Sequence, residues 1–309
     1  MKVTIIGGGG RVGSCAAYAL QCGGLVSEIQ ILDANGELAA GEALDLLHGS
    51  ALAGDQRIYS GDYARAADSD MFLITAGLRR KPDESRLDLI NRNVELFVSI
   101  IDSIKKAGLR KESHIFVVSN PVDILTQLAL KRTGLPWNQV YGLGTMLDTS
   151  RFSSLIAQEL HLAPTQVKAV ILGEHGDSMI PVWSSAAVNG LPLTGLPECT
   201  PAFQNAVFER TKTSGAEVIK RKGGAGWAVG IAIRDVVHGV LLDKKNILPV
   251  SSLVQGAYDI YDICLSVPSV IGRRGVESHV GIKLWPKELM GLQSSARALK
   301  ETLGRVRVS

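Results

Sequence analysis

Cysteine is scarce in this chain of 309 residues. Four occur, at positions 15, 22, 199 and 264, with neither the paired spacing of a metal-ligand set nor that of a redox motif. Cys15 and Cys22, seven apart, read as packing positions on the first helix, and free thiols in a chain of this size fit a reducing compartment. Net charge is equally slight, since 33 Lys and Arg against 30 Asp and Glu leave a formal +3. The basic pairs and triplets (Arg110-Lys111, Lys220-Arg221-Lys222, Lys244-Lys245, Arg273-Arg274) are scattered and not interleaved with aromatics. A nucleic-acid partner is therefore not expected. No apolar run reaches the roughly 18 to 20 residues of a membrane span. The first strand begins at Lys2, so no signal peptide is expected, and we anticipate a cytoplasmic protein without a membrane partner. What remains is ordinary globular composition, 46% hydrophobic and 20% charged, in a chain long enough for one large domain or two coupled ones.

Short apolar segments at Val3–Ile6, Ile29–Asp33, Met71–Thr75, Ile115–Ser119 and Val140–Leu143 read as strands. Helical patterns fill the gaps, notably Leu89–Ala107 and Val122–Thr133. Such alternation predicts an α/β fold with a doubly wound parallel sheet and right-handed crossovers. After the first strand comes a glycine loop containing Gly8-x-Gly10-x-x-Gly13, with Arg11 and Val12 between the last two glycines. Glycines there permit a tight turn and close approach of a pyrophosphate to backbone N–H groups, and the following helix turns its positive end toward the phosphates. Asp33 ends the second strand twenty residues beyond Gly13. Its carboxylate can accept hydrogen bonds from an adenosine ribose and would repel a 2′-phosphate, which points to NAD over NADP. Read bare, Asp33 is also a helix N-cap or turn acid, and Asn35 is the alternative candidate for that cap.

In the second half, Leu172-Gly-Glu-His-Gly-Asp-Ser-Met-Ile-Pro-Val-Trp183 holds His175 between two glycines. Histidine suits proton transfer near neutrality, although by itself such a histidine is also compatible with a structural role. Five motifs taken together carry more weight: the glycine loop with Asp33, Lys81-Pro82 with Ser85-Arg86, Asn120-Pro-Val-Asp123, Leu147-Asp148-Thr-Ser-Arg151, and Gly173-Glu-His-Gly-Asp177. In order and spacing the chain resembles the L-2-hydroxy-acid dehydrogenases, the lactate and malate dehydrogenase family, from Lys2 to near Leu303.

That resemblance implies a role for each matching residue. His175 matches the proton donor and acceptor, and Asp148 the carboxylate that holds its imidazole in one tautomer; read bare, Asp148 is also a helix N-cap candidate. Arg151, one helical turn on, matches the fork that grips the substrate carboxylate. Arg86 matches the arginine of a mobile loop that closes over the substrate, where the bare residue reads as solvated surface. Asn120 matches a residue bonding nicotinamide ribose and substrate, though on the bare sequence, before Pro121, it reads first as a turn former. The implied cofactor contacts are Gly8, Gly10, Arg11, Val12, Gly13, Asp33, Thr75, Ala76, Gly77, Asn93, Ser119 and Asn120. His48, His114, His161, His238 and His279 match no catalytic position, and no metal is implied.

Substrate choice falls on Arg80, six residues before Arg86. In the resembled family an arginine there accompanies malate and oxaloacetate, and a glutamine accompanies lactate and pyruvate. A second substrate carboxylate would pair with Arg80, whereas a methyl would leave its charge buried and alone. Ala225, where lactate enzymes carry threonine, also leaves room for the larger substrate. The expectation is thus NAD-dependent malate dehydrogenase, with a place in the tricarboxylic acid cycle. Asp83 stands where the family usually has glycine, while Glu84 and the segment Ala228-Val-Gly-Ile231 resemble the lactate branch. L-Lactate dehydrogenase is accordingly the alternative, and a non-catalytic NAD-binding protein a remote one. The positions matching a sugar-bisphosphate activation site hold Ser153 and Lys168, so fructose 1,6-bisphosphate activation is not expected. We expect an NAD-binding domain over residues 1–143 and a mixed α/β catalytic domain over 144–309. Helices in the latter are expected at Asp148–Leu160, Ala202–Lys220, Trp227–Leu242 and Lys287–Thr302, with the site where the domains meet. The resemblance further implies a homo-oligomer, tetramer or dimer.

Overall fold

The computed structural model describes residues 1–79 and 83–307. Arg80, with the Lys81-Pro82 motif, lies outside them. The first half runs β1 (Lys2–Ile6), α1 (Arg11–Gly23), β2 (Glu28–Leu32), α2 (Gly36–Ala53), β3 (Arg57–Ser60), β4 (Met71–Ile74), α3 (Arg86–Gly108), β5 (His114–Val117), α4 (Val122–Thr133) and β6 (Val140–Gly142). These six strands pair in parallel in the order β3-β2-β1-β4-β5-β6. The order reverses between β1 and β4, where a doubly wound sheet opens a crevice at its carboxyl edge.

Side chains alternate between the two faces of these strands and are buried on both, so helices cover each face. In β4, Phe72 and Ile74 pack with α3 and α4 through Phe97, Ile101 and Leu125. Met71 and Leu73 face the other way, against Leu20 of α1 and residues of the second half. Helix starts follow local chemistry. The Asn35 side chain accepts the Leu38 N–H at 3.1 Å and caps α2. The Ser85 hydroxyl accepts the Asp88 N–H at 3.1 Å and caps α3. That cap extends α3 three residues beyond the expected start at Leu89 and places Arg86 on the helix instead of in a loop.

The second half runs α5 (Met146–Glu159), β7 (Val167–Leu172), β8 (Ile180–Val188), β9 (Leu191–Pro192), α6 (Pro201–Lys222), α7 (Trp227–Leu241), β10 (Asn246–Gln255), β11 (Tyr261–Gly272), β12 (Gly275–His279) and α8 (Pro286–Arg305). Strands β7 to β9 form a small antiparallel sheet. Strands β10 to β12 instead join the large sheet, with Ser251 of β10 antiparallel to Gly142 of β6, making nine strands in all. A third apolar cluster, with Phe152, Ile156, Trp183 and Val207, fastens α5 and α6 to the small sheet. All four cysteines are unpaired; Cys22 is exposed, not packed as its helical spacing suggested. No described helix is long and apolar enough to cross a membrane.

Candidate active site

The glycine loop is shaped by contacts that leave no room for side chains. Gly7 takes φ +83°, and a Cβ there would lie 2.5 Å from the Ala76 nitrogen; a Cβ on Gly13 would run into the Gly7 carbonyl. The Thr75 hydroxyl donates to the Ile6 and Gly7 carbonyls, both at 3.1 Å, joining the ends of β1 and β4. Helix α1 is capped by Gly10 without a side-chain bond, which leaves its first-turn amides able to receive an anion. The Asp33 carboxylate is fixed beside the loop, accepting from Gly9 N–H at 3.1 Å and Asn35 N–H at 3.0 Å. Amide donors at a helix start, a crowded glycine turn and an anchored acid at the next strand form a donor and acceptor set suited to a dinucleotide.

The other expected cofactor residues are less uniform. Arg11 turns its guanidinium onto the Lys222 and Gly224 carbonyls at the end of α6. It thereby braces the turn that carries Ala225, and Val12 packs beside it against the same core. Asn93 is buried, accepting from Leu78 N–H at 2.8 Å and donating to the Leu89 carbonyl at 3.0 Å. Gly77 lies against this amide, close enough that a Cβ would be 3.5 Å from Asn93 Oδ1. The Ser119 hydroxyl donates to the Ala76 carbonyl at 2.5 Å. Asn93 and Ser119 thus hold the backbone of the site. Asn120 is exposed at the carboxyl edge, and its side chain accepts the Val122 N–H at 3.3 Å, the turn role open to it before Pro121.

His175 sits on the turn after β7. Gly173 takes φ +92° and is bridged to Ser266 of β11 by paired backbone bonds of 2.9 and 3.1 Å. The next N–H, of Glu174, donates to the Ser295 hydroxyl at 2.8 Å, and the His175 N–H donates to Asp123 Oδ2 at 2.8 Å. The ring is oriented by Asp148, whose Oδ2 lies 2.5 Å from Nδ1. Asp148 Oδ1 accepts from Arg151 at 2.9 Å. The carboxylate is 1% exposed, the imidazole 24%. Because Nδ1 donates to Asp148, Nε2 is the nitrogen available for exchange with a substrate. Asp148 lies within the first turn of α5, whose N-cap is Thr145, so the N-cap reading of Asp148 does not hold.

Charge and burial oppose each other here. Burial pulls the His175 pKa down, but the Asp148 charge and hydrogen bond outweigh it and leave the imidazole above its ordinary value. Burial pushes Asp148 up, yet His175 and Arg151 hold it below the usual carboxylate range. The pair therefore favours imidazolium facing carboxylate. Arg151 passes α6 at Gly215, where a Cβ would lie 3.5 Å from its guanidinium. Arg86 pairs with Asp177, two residues past His175. Glu84 accepts from Arg92 at 2.6 Å, and Asp83 takes φ +63°. Asp123 and Asp177 carried no assigned role in the sequence reading, although both end motifs quoted there.

Residues 1–142 match the lactate/malate dehydrogenase NAD-binding domain, and residues 145–307 match the alpha/beta C-terminal domain of the same family. An L-lactate dehydrogenase of Synechococcus sp. (strain JA-3-3Ab) is 42% identical over 309 residues, covering 99% of this chain and 100% of that protein. One from Acetivibrio thermocellus is 40% identical over 307 residues, covering 98% and 96%. Among solved structures, the minor L-lactate dehydrogenase of Enterococcus mundtii superposes with a TM-score of 0.94 at 36% identity, covering 100% of this chain and 99% of that one. The fold and the two matched segments define an NAD-dependent oxidoreductase whose α/β second half shares the large sheet with the cofactor half. The chain belongs to the lactate/malate dehydrogenase family.

Proposed function

We propose that the protein is an NAD-dependent 2-hydroxy-acid dehydrogenase acting on pyruvate and L-lactate. The observation that carries the chemistry is the His175–Asp148 pair with Arg151 bonded to the same carboxylate. When bound, NADH supplies a hydride to the carbonyl carbon of a 2-oxo acid. Gly8, Gly10, Gly13 and Asp33 would hold the cofactor, with Thr75, Ala76, Gly77, Asn93 and Ser119 shaping its cradle. His175, charged, points Nε2 at the carbonyl oxygen and gives up its proton as the alcohol forms; in the reverse direction the neutral ring takes that proton back. Asp148 keeps Nδ1 protonated and stabilises the imidazolium. Arg151 binds the carboxylate in a planar fork. Arg86, released from Asp177, polarises the carbonyl.

The names of the relatives support the lactate reading, since those at 40% identity and above over nearly the whole chain are L-lactate dehydrogenases. The expectation of malate, and with it the tricarboxylic acid cycle, finds no support among them. It stands as a second reading on two sequence observations, arginine at position 80 and the small Ala225. Comparing kcat/KM for pyruvate and oxaloacetate with NADH tests both. A preference for pyruvate supports the first reading, and a preference for oxaloacetate replaces it with the second. Free thiols support a cytoplasmic location, and fractionation of cells would test it. Exposed Leu44, Leu47 and Leu52 on α2, with Trp227 and Ile231 on α7, support a homo-oligomer, which light scattering would test. The division near residue 143 belongs to the same reading.

A further inference from the structure

His175 is held from two directions. Asp148, on α5 of the second half, takes its side chain; Asp123, on α4 of the first half, takes its backbone N–H at 2.8 Å. An acid in the first turn of a helix ordinarily serves that helix, by capping it or by facing its dipole. Asp123 makes no side-chain bond to its own first turn: Oδ2 reaches a residue 52 positions away. Oδ1 is buried, and the polar group facing it is the Ser251 hydroxyl, which reaches no full hydrogen bond but eases the charge. The residue is 2% exposed, and a carboxylate so placed costs stability unless it is fully paired or hydrogen-bonded.

The groups around it are few. Glu174 and His175 face it from the turn after β7, Ser251 from β10 and Cys264 from β11. Burial holds the Cys264 thiol well above its usual value, hence neutral. Asp148 and Arg151 stand behind the imidazole on α5. Burial pushes Asp123 up to about 6, while Ser251 and the His175 N–H restrain the rise. Its charge in turn raises His175, after the larger opposing effects of burial and Asp148.

We propose that Asp123 is a positioning residue of the proton relay, which pins the His175 turn to the cofactor half and sets a second buried carboxylate beside the imidazole. The chain thereby aligns the two reacting partners through one hydrogen bond across the halves. The inference rests on the proposed proton transfer by His175.

Two substitutions separate the pin from the charge. Asp123→Asn keeps an acceptor for the His175 N–H and removes the charge; Asp123→Ala removes both. The His175 imidazole is titrated by NMR on 13C-labelled histidine, assigned with His175→Asn, while kcat/KM is followed against pH with NADH and pyruvate or oxaloacetate. Asp123→Asn should lower the imidazole midpoint by about half a pH unit. The basic limb of kcat/KM for reduction should move with it, and kcat below that limb should stay within about threefold of wild type. Folded Asp123→Ala should show the same shift and lose about tenfold or more in kcat. An unshifted midpoint in Asp123→Asn, or wild-type kcat in Asp123→Ala, would overturn the proposal. Should the alanine variant not fold, the asparagine titration decides alone. Wild-type protein inactive on every 2-oxo acid would refute the proposed function, and the NMR titration would still decide the role of Asp123.

Discussion

Arg86 and Asp177 form an ion pair across the mouth of the site although both side chains lie largely in water, 66% and 85% exposed. Exposed pairs of this kind contribute up to about 1 kcal/mol, so the contact is easily exchanged for a substrate. Replacing Asp177 with Asn should free Arg86 and lower KM for the 2-oxo acid by up to about fivefold. The difference should shrink as salt screens the pair. A raised KM would show instead that Asp177 places Arg86 correctly.

His175→Asn and Asp148→Asn should each reduce kcat by about 10²- to 10⁴-fold, the usual loss when a positioned proton carrier or its orienter is removed. NADH binding, followed by fluorescence titration, should persist in both, because neither residue belongs to the glycine loop. Unchanged turnover in either would refute the relay.

The raised pKa of His175 fixes a direction with pH. Reduction consumes the imidazolium, so kcat/KM for the 2-oxo acid should hold through the ordinary histidine range and fall only as pH rises past the raised value. Oxidation of the hydroxy acid needs the neutral ring and should rise over that same interval. Paired pH profiles in the two directions check this. A reduction limb falling below pH 6 would contradict it.

Arg80→Gln should lower the oxaloacetate-to-pyruvate ratio of kcat/KM. If the guanidinium pairs with a second carboxylate, a loss of roughly 4 kcal/mol corresponds to nearly a thousandfold. An unchanged ratio would remove residue 80 from the specificity of this enzyme.

Away from the site, burial pushes His114 down to about 4. Its neutral form is the native one, so its stabilising contribution is complete above about pH 6.5 and is lost as pH falls toward 4, on the order of 3 kcal/mol in all. Denaturant unfolding at pH 7 and pH 5 should show a smaller acid loss for His114→Gln than for wild type. Equal losses would assign the acid sensitivity elsewhere.

The parallel half was legible because its strands are short, apolar on both faces and separated by helical periods; β1, β4 and β5 lie where their residues suggested. The antiparallel strands were not. Pro249 and Pro268, opposite each other in β10 and β11, interrupt runs that otherwise read as strand, and the serines between them mask alternation. At the site, motif spacing brought His175, Asp148 and Arg151 together as expected. Asp123 escaped because nothing in Asn-Pro-Val-Asp announces a bond to a backbone 52 residues on. Asp83 was legible only as a missing glycine; its φ of +63° gives the reason, a left-handed turn that glycine adopts without cost.

The rung between Ser251 and Gly142 also limits how the molecule can be divided. A fragment ending at Gly142 would leave β6 as a bare sheet edge, its unpaired amides and carbonyls open to any passing strand. It would also uncover Tyr141 and Phe116, which pack with Val236 and Ile271 of the second half. Produced alone, the cofactor half would be an aggregation-prone species, and the later residues act as its built-in guard against self-association.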